Sequence, residues 1–545
     1  MAETVLAADG TPLKRSLSRA LRRQKLRALG LIAPLLFFVL ITFIVPIASM
    51  LFRSVENEIV SNTLPYTVEA LAEWDADQSD IPSEATFQAM FFDMFLAAEA
   101  KRHTRLGTRL NYETTGLSSL FRQSGRQLGD VADISYEPLT GLDKAWDDGE
   151  TWYTLMNARD ATDTALMAEQ RKRIAKLTDK EASGTVNFAP DAEVAALLPL
   201  AAREYTAWAI YVATQDGRDP AARDPWEAMA PALLIDLKTA DISGYSGPIA
   251  DMLRAAQDTD LPVADFTAAF TEMDEDWGTK VPWETIQTNS SKYTSGYFLN
   301  AVDARKTAEG VAWQPDNKQI LIKLFGRTIW MSVLIMFSCI ALGYPIAWLL
   351  ANLPRRQANL LLILVLLPFW TSLLVRTSAW KVMLQQQGVI NDVLVWIGLV
   401  ADDNRLIIIN NQFGTIISMT HILLPFMILP MYSVMQTIQP TYLRAAKSLG
   451  ATNWTAFWRV YFPQSIPGIG AGSILVFILS IGYYITPEIV GGTKGVFISN
   501  RIAYNISSSL NWGLAAALGS ILLAAVLVLY WAYDKIVGID NVKLG

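Results

Sequence analysis

Cysteine and histidine are almost absent from this 545-residue chain, which contains one cysteine and two histidines. A single cysteine, Cys339, excludes a disulfide framework within the chain. Zinc sites are normally built from several cysteine and histidine ligands, so two distant histidines exclude a conventional zinc site. The same scarcity leaves no nucleophile and base that could be paired for catalysis. We therefore expect neither a catalytic residue nor a metal ligand.

A phosphate-binding loop is also missing, because the pattern G-x-x-x-x-G-K-[ST] occurs nowhere in the chain. That loop cradles the phosphates of ATP in many nucleotide hydrolases. We therefore expect no cofactor in this chain and no ATP hydrolysis by the chain alone.

Charge is divided unevenly along the sequence. Residues 54–325 carry 44 acidic and 24 basic residues, a net charge of −20, whereas the remainder carries 8 acidic and 21 basic residues, a net charge of +13. The chain is 52% hydrophobic and 18% charged, which is too apolar for an ordinary soluble protein and too charged for a purely membranous one. The partition predicts an acidic soluble body and a membrane body flanked by basic residues.

Six apolar runs are long enough to cross a bilayer, which needs roughly 20 helical residues. They are Leu31–Phe52, Thr328–Ala351, Ala358–Ala379, Gly414–Met435, Ile469–Ile489 and Leu514–Tyr533. The first run is longer than the apolar core of a signal peptide, which has about 7–15 residues. It therefore predicts an uncleaved first span over residues 31–53, and spans two to six form a core over residues 326–538.

Basic residues predict the orientation of these spans. The segments on the side of the N-terminus hold fourteen basic residues, whereas the short loops on the other side hold four. Lysine and arginine are enriched in cytoplasmic loops, so residues 1–30 and the tail 539–545 are predicted to be cytoplasmic. The basic segment 1–30 is expected to lie on anionic lipid; an arm that binds nucleic acid is the weaker alternative. Residues 54–325 are then extracytoplasmic, which in a bacterial inner membrane means periplasmic.

The insert 54–325 is too long for a structureless loop and must have its own fold. Ala85–Arg109 and Glu193–Gln215 are rich in helix-forming residues, and Pro225–Lys238 and Pro262–Trp277 begin with proline, as helices often do. The fold class is therefore an all-α membrane protein with six spans and a mainly helical insert between spans 1 and 2. The charged pair Arg203–Glu204 interrupts the most apolar piece of the insert, which predicts a buried core helix rather than a further span.

A short cytoplasmic helix-turn-helix is predicted near residues 438–462, between two of the apolar runs. Leucines and alanines recur there at helical spacing until Gly450, which breaks a helix because glycine is costly inside one and favoured just past its end. Thr452 or Asn453 can cap the helix that follows. An ordinary connecting loop is the alternative interpretation.

The motif of this segment, L-x-A-A-x-x-L-G-A, is followed by Phe457 and then by P-x-x-x-P-G-I. It resembles the coupling motif of bacterial type I ABC importer permeases. The motifs LGYPIAWLLA at 342–351, LLPFWTSLLVR at 366–376 and GYYITPEIVGG at 482–492 are similar to those of the spermidine/putrescine branch. The resemblance covers about residues 31–53 and 293–538 and leaves 54–292 without a counterpart.

In that family the coupling segment docks into the ATP-binding subunit. The resemblance therefore implies this role for seven residues within 443–451. The set is Leu443, Arg444, Ala445, Ala446, Leu449, Gly450 and Ala451. Arg444 stands where the family motif usually has glutamate.

The resemblance implies one half of the pore of an ATP-driven importer for a small polar solute, such as a polyamine or a related amine or amino-acid-like compound. The implied partners are two ATP-binding subunits that hold ATP and Mg, a second and different permease chain, and an extracytoplasmic solute-binding protein. Tyr483 stands where the polyamine branch often has an acidic residue, which weighs against a polycation. A membrane receptor would need a cytoplasmic output domain, and a secondary transporter usually shows internal repeats and midplane charges; neither pattern is found.

Pathway candidates are the polar and aromatic residues in the spans or near their ends, because an ionisable group there usually faces protein or a water-filled cavity. They are Trp370, Thr371, Arg376, His421, Tyr483, Tyr484 and Glu488. Arg376 and Glu488 lie near the predicted outer ends of spans 3 and 5, where they line a pathway, pair with each other or extend to the membrane interface. For the remaining candidates, solute contact and ordinary helix packing both stay open.

Overall fold

The computed structural model describes residues 13–158 and 164–537, and it divides the chain into two compact units. The membrane unit consists of the described residues up to Val55, of Ala301–Asp303 and of the residues from Pro315 onward. The insert unit consists of Glu56–Asn300 and Ala304–Gln314. The predicted tail 539–545 and the first part of the predicted segment 1–30 lie outside the described residues.

Five helices of the described membrane unit are long and apolar enough to cross a bilayer, and a bent pair makes a sixth. Span 1 is Arg22–Arg53, which comprises most of the helix Leu13–Val39, the π-turn Leu40–Ile44 and the helix Val45–Arg53. The others are span 2 (Leu321–Asn352), the bent span 3 (Arg355–Trp370 with Leu373–Met383), span 4 (Gln412–Thr437), span 5 (Asn453–Gly482) and span 6 (Trp512–Val537). Shorter helices are Val389–Trp396, Asp402–Asn404, Pro440–Ser448, Ile485–Val490, Gly492–Gly495 and Ile498–Ser507. The all-α fold class is confirmed.

Span 3 differs from the continuous run predicted over Ala358–Ala379. Its two halves meet at an angle of 94°. A 3-10 turn over Leu367–Trp370 precedes the break, and Thr371 and Ser372 have extended backbone with ψ angles of 144° and 139°. Pro368 explains the break, since a proline removes one helical hydrogen bond and its ring crowds the carbonyl four residues earlier.

Span 5 also differs from the predicted run Ile469–Ile489 at both ends. The helix begins at Asn453 and runs through Pro463 and Pro467, both of which precede the predicted run. A π-turn over Phe457–Tyr461 widens the helix just before Pro463. The helix then ends at Gly482, so Glu488 belongs to the separate helix Ile485–Val490.

Spans 2, 4 and 5 pack closely around a core that includes Cys339, Met427 and Met431. Glycine makes the closest approach possible, because a Cβ added at Gly468 would lie 3.0 Å from the Cα atom of Met431. A Cβ at Gly472 would likewise lie 3.1 Å from the carbonyl oxygen of Met427. These two glycines form the small-xxx-small step that lets helix backbones approach in membranes.

The described part of the insert unit is mainly helical. Its helices are Ile59–Thr63, Pro65–Leu71, Glu84–Glu99, His103–Leu110, Leu117–Leu142, Lys144–Asp147, Gly149–Met156, Ala165–Thr178, Ala192–Leu197, Pro199–Thr214, Pro220–Ala222, Met229–Leu237, Ala250–Asp258, Phe266–Met273, Glu275–Gly278 and Lys280–Thr288. Gly296–Ala301 is a short helix at the boundary, and the strands Ala304–Thr307 and Gly310–Trp313 form an antiparallel hairpin. The first and last segments of the insert unit are paired, since the backbone N–H of Asn57 donates to the backbone carbonyl of Lys292 over 2.8 Å.

Two proline-based helix starts in the insert were wrong. The helices begin at Met229 and Phe266 rather than at Pro225 and Pro262. Side-chain carboxylates set the second start, because Asp265 accepts the Ala268 N–H over 2.9 Å and Glu84 accepts the Phe266 N–H over 2.7 Å. The carboxylate of Glu84 comes from a helix 182 positions away in the sequence, so local pattern does not reveal it.

A structural repeat organises the aromatic core of the insert. In D-x-x-W-x₅-W, found at Asp143–Trp152 and Asp274–Trp283, the aspartate caps a 3-10 turn and a helix follows. The second indole then donates to the carbonyl of the first tryptophan, over 2.8 Å for Trp152 and 3.0 Å for Trp283. All four tryptophans are at most 1% exposed. The spacing of aspartate and tryptophan in this repeat is visible in the sequence alone.

A buried charge cluster joins three helices of the insert. Arg173 bonds Asp93 over 3.0 Å and Glu204 over 3.3 Å, and Arg203 bonds Glu204 over 2.7 Å. Both guanidinium groups contact the ring of Tyr66, whose centroid lies 4.7 Å from the Cζ atom of Arg173 and 3.9 Å from the Cζ atom of Arg203. Burial alone would raise the pKa of Glu204, but the two arginines outweigh it and lower that pKa. The prediction that Arg203–Glu204 belongs to a buried core helix is confirmed for Glu204, while Arg203 is half-buried.

We expect Arg173→Met to destabilise the insert unit by about 3–5 kcal/mol, because it leaves Asp93 without a cation and Glu204 with only one. Chemical denaturation of the purified chain, followed by the fluorescence of the buried tryptophans, measures the effect. Arg254→Ala is the matched control, since its ion pair with Asp251 is exposed and exposed pairs contribute about 0–1 kcal/mol. Equal losses in the two variants would contradict the assigned role of the cluster.

We expect Asp236 to make the free energy of unfolding depend on pH. It accepts the Ala201 N–H over 2.8 Å at the start of the helix Pro199–Thr214, and burial raises its pKa to about 6. An unfolded aspartate has a pKa of about 3.9, so the folded state holds the proton more tightly. The contribution of Asp236 to stability is therefore complete below pH 4 and is lost as the pH rises through 6.

The difference in unfolding midpoint between the wild type and Asp236→Asn, measured from pH 4 to pH 7, isolates this contribution. The wild type should lose stability relative to the asparagine variant across that range, because asparagine keeps the acceptor oxygen but does not titrate there. A difference that stays constant with pH would show that Asp236 is not responsible.

Candidate functional site

The segment between spans 4 and 5 forms a helix, a tight turn and a second helix. The helix Pro440–Ser448 is followed by Leu449 and then by Gly450, whose φ angle of +90° is in the left-handed region. Gly450 donates its N–H to Lys447 over 3.0 Å, and Ala451 donates to Ala446 over 3.1 Å. Glycine adopts such a φ angle without steric cost, whereas a side chain strains the backbone. The predicted break at Gly450 is therefore observed.

The next helix starts as the sequence indicates, with Thr452 as its cap. The Thr452 hydroxyl accepts the N–H of Thr455 over 3.2 Å. From there a continuous helix leads through the π-turn into span 5, so the turn at Gly450 is mechanically connected to a membrane-crossing helix.

The turn presents apolar side chains to solvent. Leu449 is 90% exposed and Trp454 is 72% exposed, on either side of Gly450. Of the seven residues assigned to coupling, four are exposed (Arg444, Ala445, Leu449 and Gly450), and three are half-buried (Leu443, Ala446 and Ala451). Exposed apolar side chains around a helical turn are typical of a surface that docks another protein.

Aromatic contacts connect this surface to span 2. Phe457 stacks on Tyr461 with ring centroids 5.9 Å apart and meets Tyr344 of span 2 edge-on at 6.2 Å. The Tyr344 hydroxyl lies 3.0 Å from the hydroxyl of Ser465 in span 5. Sequence reasoning missed Tyr344 and Trp454 as parts of this site, although Tyr344 lies within the LGYPIAWLLA motif.

Arg376 closes the break in span 3. Its guanidinium donates to the Thr371 hydroxyl over 3.2 Å and to the Thr371 carbonyl over 3.0 Å, and it also bonds the carbonyl of Pro368. A bent helix leaves backbone carbonyls without helical partners, and lipid offers them no hydrogen bonds. Arg376 therefore satisfies the carbonyls that the 94° bend exposes.

Glu488 binds a neutral partner, so the alternative in which Glu488 pairs with Arg376 is not observed. Its carboxylate accepts from the Asn500 amide over 2.6 Å. The same amide donates to the Tyr484 carbonyl over 2.9 Å, while the Ser499 hydroxyl donates to the Tyr483 carbonyl over 2.6 Å. Glu488 is exposed and forms no ion pair within the described residues.

The break in span 3 lies beside a second break, between the end of span 5 at Gly482 and the helix Ile485–Val490. Thr377, one helical residue beyond Arg376, is 3.2 Å from Thr486 between the two hydroxyl oxygens. Trp370 is 76% exposed and Tyr484 is 47% exposed, so both aromatic faces are open in the single chain. The structure thus brings the ends of both broken segments together in one region. Sequence reasoning missed three residues of this region, Thr377, Thr486 and Asn500.

His421 lies on span 4 and accepts a hydrogen bond at Nδ1 from the indole of Trp380 over 3.2 Å. The two rings meet edge-on with centroids 5.3 Å apart. This contact joins span 4 to the second half of span 3, so helix packing accounts for His421 without a ligand.

Comparison with known proteins gives these features a family. Residues 343–537 match the family described as binding-protein-dependent transport system inner membrane component. The spermidine/putrescine transport system permease protein PotB of Salmonella typhimurium strain SL1344 is 35% identical over 209 residues, 38% of this chain and 72% of PotB. The inner membrane ABC transporter permease protein YdcU of Escherichia coli K12 is 31% identical over 260 residues, 45% of this chain and 80% of YdcU.

The chain therefore belongs to the family of binding-protein-dependent transport system inner membrane components, a class of multi-pass inner membrane permeases. Within that class it is a type I ABC importer permease of the polyamine branch, and the recognition made from the motifs is confirmed. The family match begins at residue 343 and leaves the whole insert unit outside it.

Proposed function

We propose that this chain forms one half of the pore of an ATP-driven importer that takes up a small amine. The observation that carries the proposal is the exposed turn at Gly450, in a chain related to permeases over two thirds of their length. Two ATP-binding subunits that hold ATP and Mg would dock on this turn, and a second, different permease would complete the pore. A solute-binding protein would deliver the amine from the side of the insert, with both termini in the cytoplasm.

The chemistry around Glu488 supports an amine. Its carboxylate has no cationic partner within the described residues, while Asn500 holds one of its oxygens in place. The exposed ring of Tyr484 lies one helical turn earlier, because Glu488 donates its N–H to the Tyr484 carbonyl over 3.0 Å. A carboxylate next to aromatic faces attracts an ammonium group through charge and cation–π interactions.

Gly450→Val should abolish uptake while leaving the spans inserted. No neighbouring atom lies within 4 Å of a Cβ added at Gly450, so the cost comes only from forcing a β-branched residue to a φ angle of +90°. Membrane insertion is measured by detergent extraction and gel filtration, and coupling by ATP hydrolysis and solute uptake in vesicles that contain the whole transporter.

Gly450→Asn is the matched control, because asparagine tolerates the left-handed region. It should retain most of the uptake. Normal uptake by the valine variant would show that this turn does not couple the permease to the ATP-binding subunits.

Glu488→Gln should reduce uptake of putrescine or spermidine by at least tenfold, because glutamine keeps the hydrogen bond to Asn500 but carries no charge. Uptake of the radiolabelled amines into cells that lack other amine importers measures the effect. Asp403→Asn serves as the control, since Asp403 is an exposed carboxylate in the short 3-10 helix Asp402–Asn404. Unchanged amine uptake in the glutamine variant would remove Glu488 from the pathway.

The solute itself is tested by copurifying the whole transporter with its partners and identifying bound small molecules by mass spectrometry. An amine bound to the copurified solute-binding protein supports the proposal. A neutral or anionic solute there would contradict the amine assignment without affecting the membership of the family.

A further inference from the structure

The hairpin of the insert unit exposes two large apolar side chains on one face. Its strands Ala304–Thr307 and Gly310–Trp313 pair antiparallel, with Ala304 opposite Trp313. Val311 is 68% exposed and Trp313 is 67% exposed. Side chains two positions apart in a strand point to the same face, so these two form one apolar surface.

This exposure is unusual for the insert, in which five tryptophans are at most 1% exposed: Trp146, Trp152, Trp208, Trp277 and Trp283. An exposed indole leaves a large apolar area in water, and an amphipathic ring of this kind gains most at a boundary between an apolar and a polar phase. Trp313 and Val311 therefore call for a partner that covers them.

The hairpin is joined to the start of a membrane-crossing helix by a short stretch of chain. Asp303, the residue before the first strand, accepts the N–H groups of Ile320, Leu321 and Ile322 over 3.2, 3.0 and 2.8 Å. Those residues form the first turn of span 2. Trp313 precedes Leu321 by eight residues, which reach at most about 28 Å when fully extended. A bilayer surface is thus within reach of the hairpin by connectivity alone.

The charge of the same segment favours lipid headgroups. Residues 292–327 carry six basic and three acidic residues, whereas residues 54–291 carry 19 basic and 41 acidic residues. An acidic body is repelled by an anionic membrane, and a local excess of lysine and arginine reverses that repulsion. Tryptophan flanked by basic residues is the combination that is enriched at membrane interfaces.

We propose that Val311 and Trp313 lie in the headgroup region of the bilayer, so that the hairpin is an interfacial anchor at the point where the chain returns to the membrane. The occupant of this apolar face is lipid, and not a protein partner. The proposal depends neither on the transported solute nor on the side of the membrane that the insert occupies.

The test uses the full chain without any partner, with Cys339→Ser and a single nitroxide label at Val311→Cys or Trp313→Cys, in nanodiscs of phosphatidylethanolamine and phosphatidylglycerol. Collisions of the label with oxygen, which concentrates in lipid, are compared with collisions with a nickel chelate, which stays in water. Asp251→Cys is the control, because the Asp251 side chain is fully exposed. We expect the ratio of oxygen to nickel accessibility to be at least fivefold higher at both hairpin positions than at the control.

A ratio at positions 311 and 313 equal to that at position 251 would overturn the proposal. So would labels that stay open to the nickel chelate in the isolated chain and lose this access only after a solute-binding protein or a second permease is added, since the face would then dock protein. Two independent label positions guard against a local effect of either substitution, and tryptophan fluorescence confirms that each labelled chain is folded.

Discussion

A polar group that has lost contact with water must find a partner inside the protein, and both units of this chain are built around that constraint. In the insert, Arg173 has only 7% of its surface exposed and is held by the carboxylates of Asp93 and Glu204. Each of the three residues belongs to a different helix, so the ion pairs specify which helices pack together. Removing one member leaves an uncompensated charge, which costs far more than the cluster contributes as a whole.

The same constraint shapes the membrane unit in a different way. Lipid cannot bond to backbone carbonyls, so a break in a membrane helix persists only where side chains replace the lost hydrogen bonds. Arg376 does this for span 3, and Ser499 and Asn500 do it beyond the end of span 5. Because the two breaks are adjacent, polar groups and irregular backbone are concentrated in one region. Spans 2, 4 and 5, by contrast, pack closely around an apolar core.

The exposed turn at Gly450 lies at the other end of span 5 from its break. Between them runs one helix of 30 residues, Asn453–Gly482. A helix transmits displacement along its axis because each residue is hydrogen-bonded to the next turn. The same helix carries the aromatic contacts with Tyr344 near its start, and the carbonyl of Tyr483 that Ser499 holds follows its end. This continuity is the physical basis on which ATP-driven motion would reach the candidate pathway.

The sequence by itself determined the features that depend on local composition. Apolar runs of bilayer length predicted the spans, a glycine after helix-forming residues predicted the turn at Gly450, and an ion pair in an apolar run predicted the burial of Glu204. Only the tertiary structure decided which side chains supply the hydrogen bonds at a helix break or a helix end. Pro368 is visible in the sequence, but the bend of 94° requires Arg376 to donate hydrogen bonds to the carbonyls of Pro368 and Thr371. The end of span 5 requires Asn500, and the start of the helix at Phe266 requires Glu84. In each case a side-chain hydrogen bond outweighs the local preference, because an unsatisfied polar group away from water costs more than a shifted helix end.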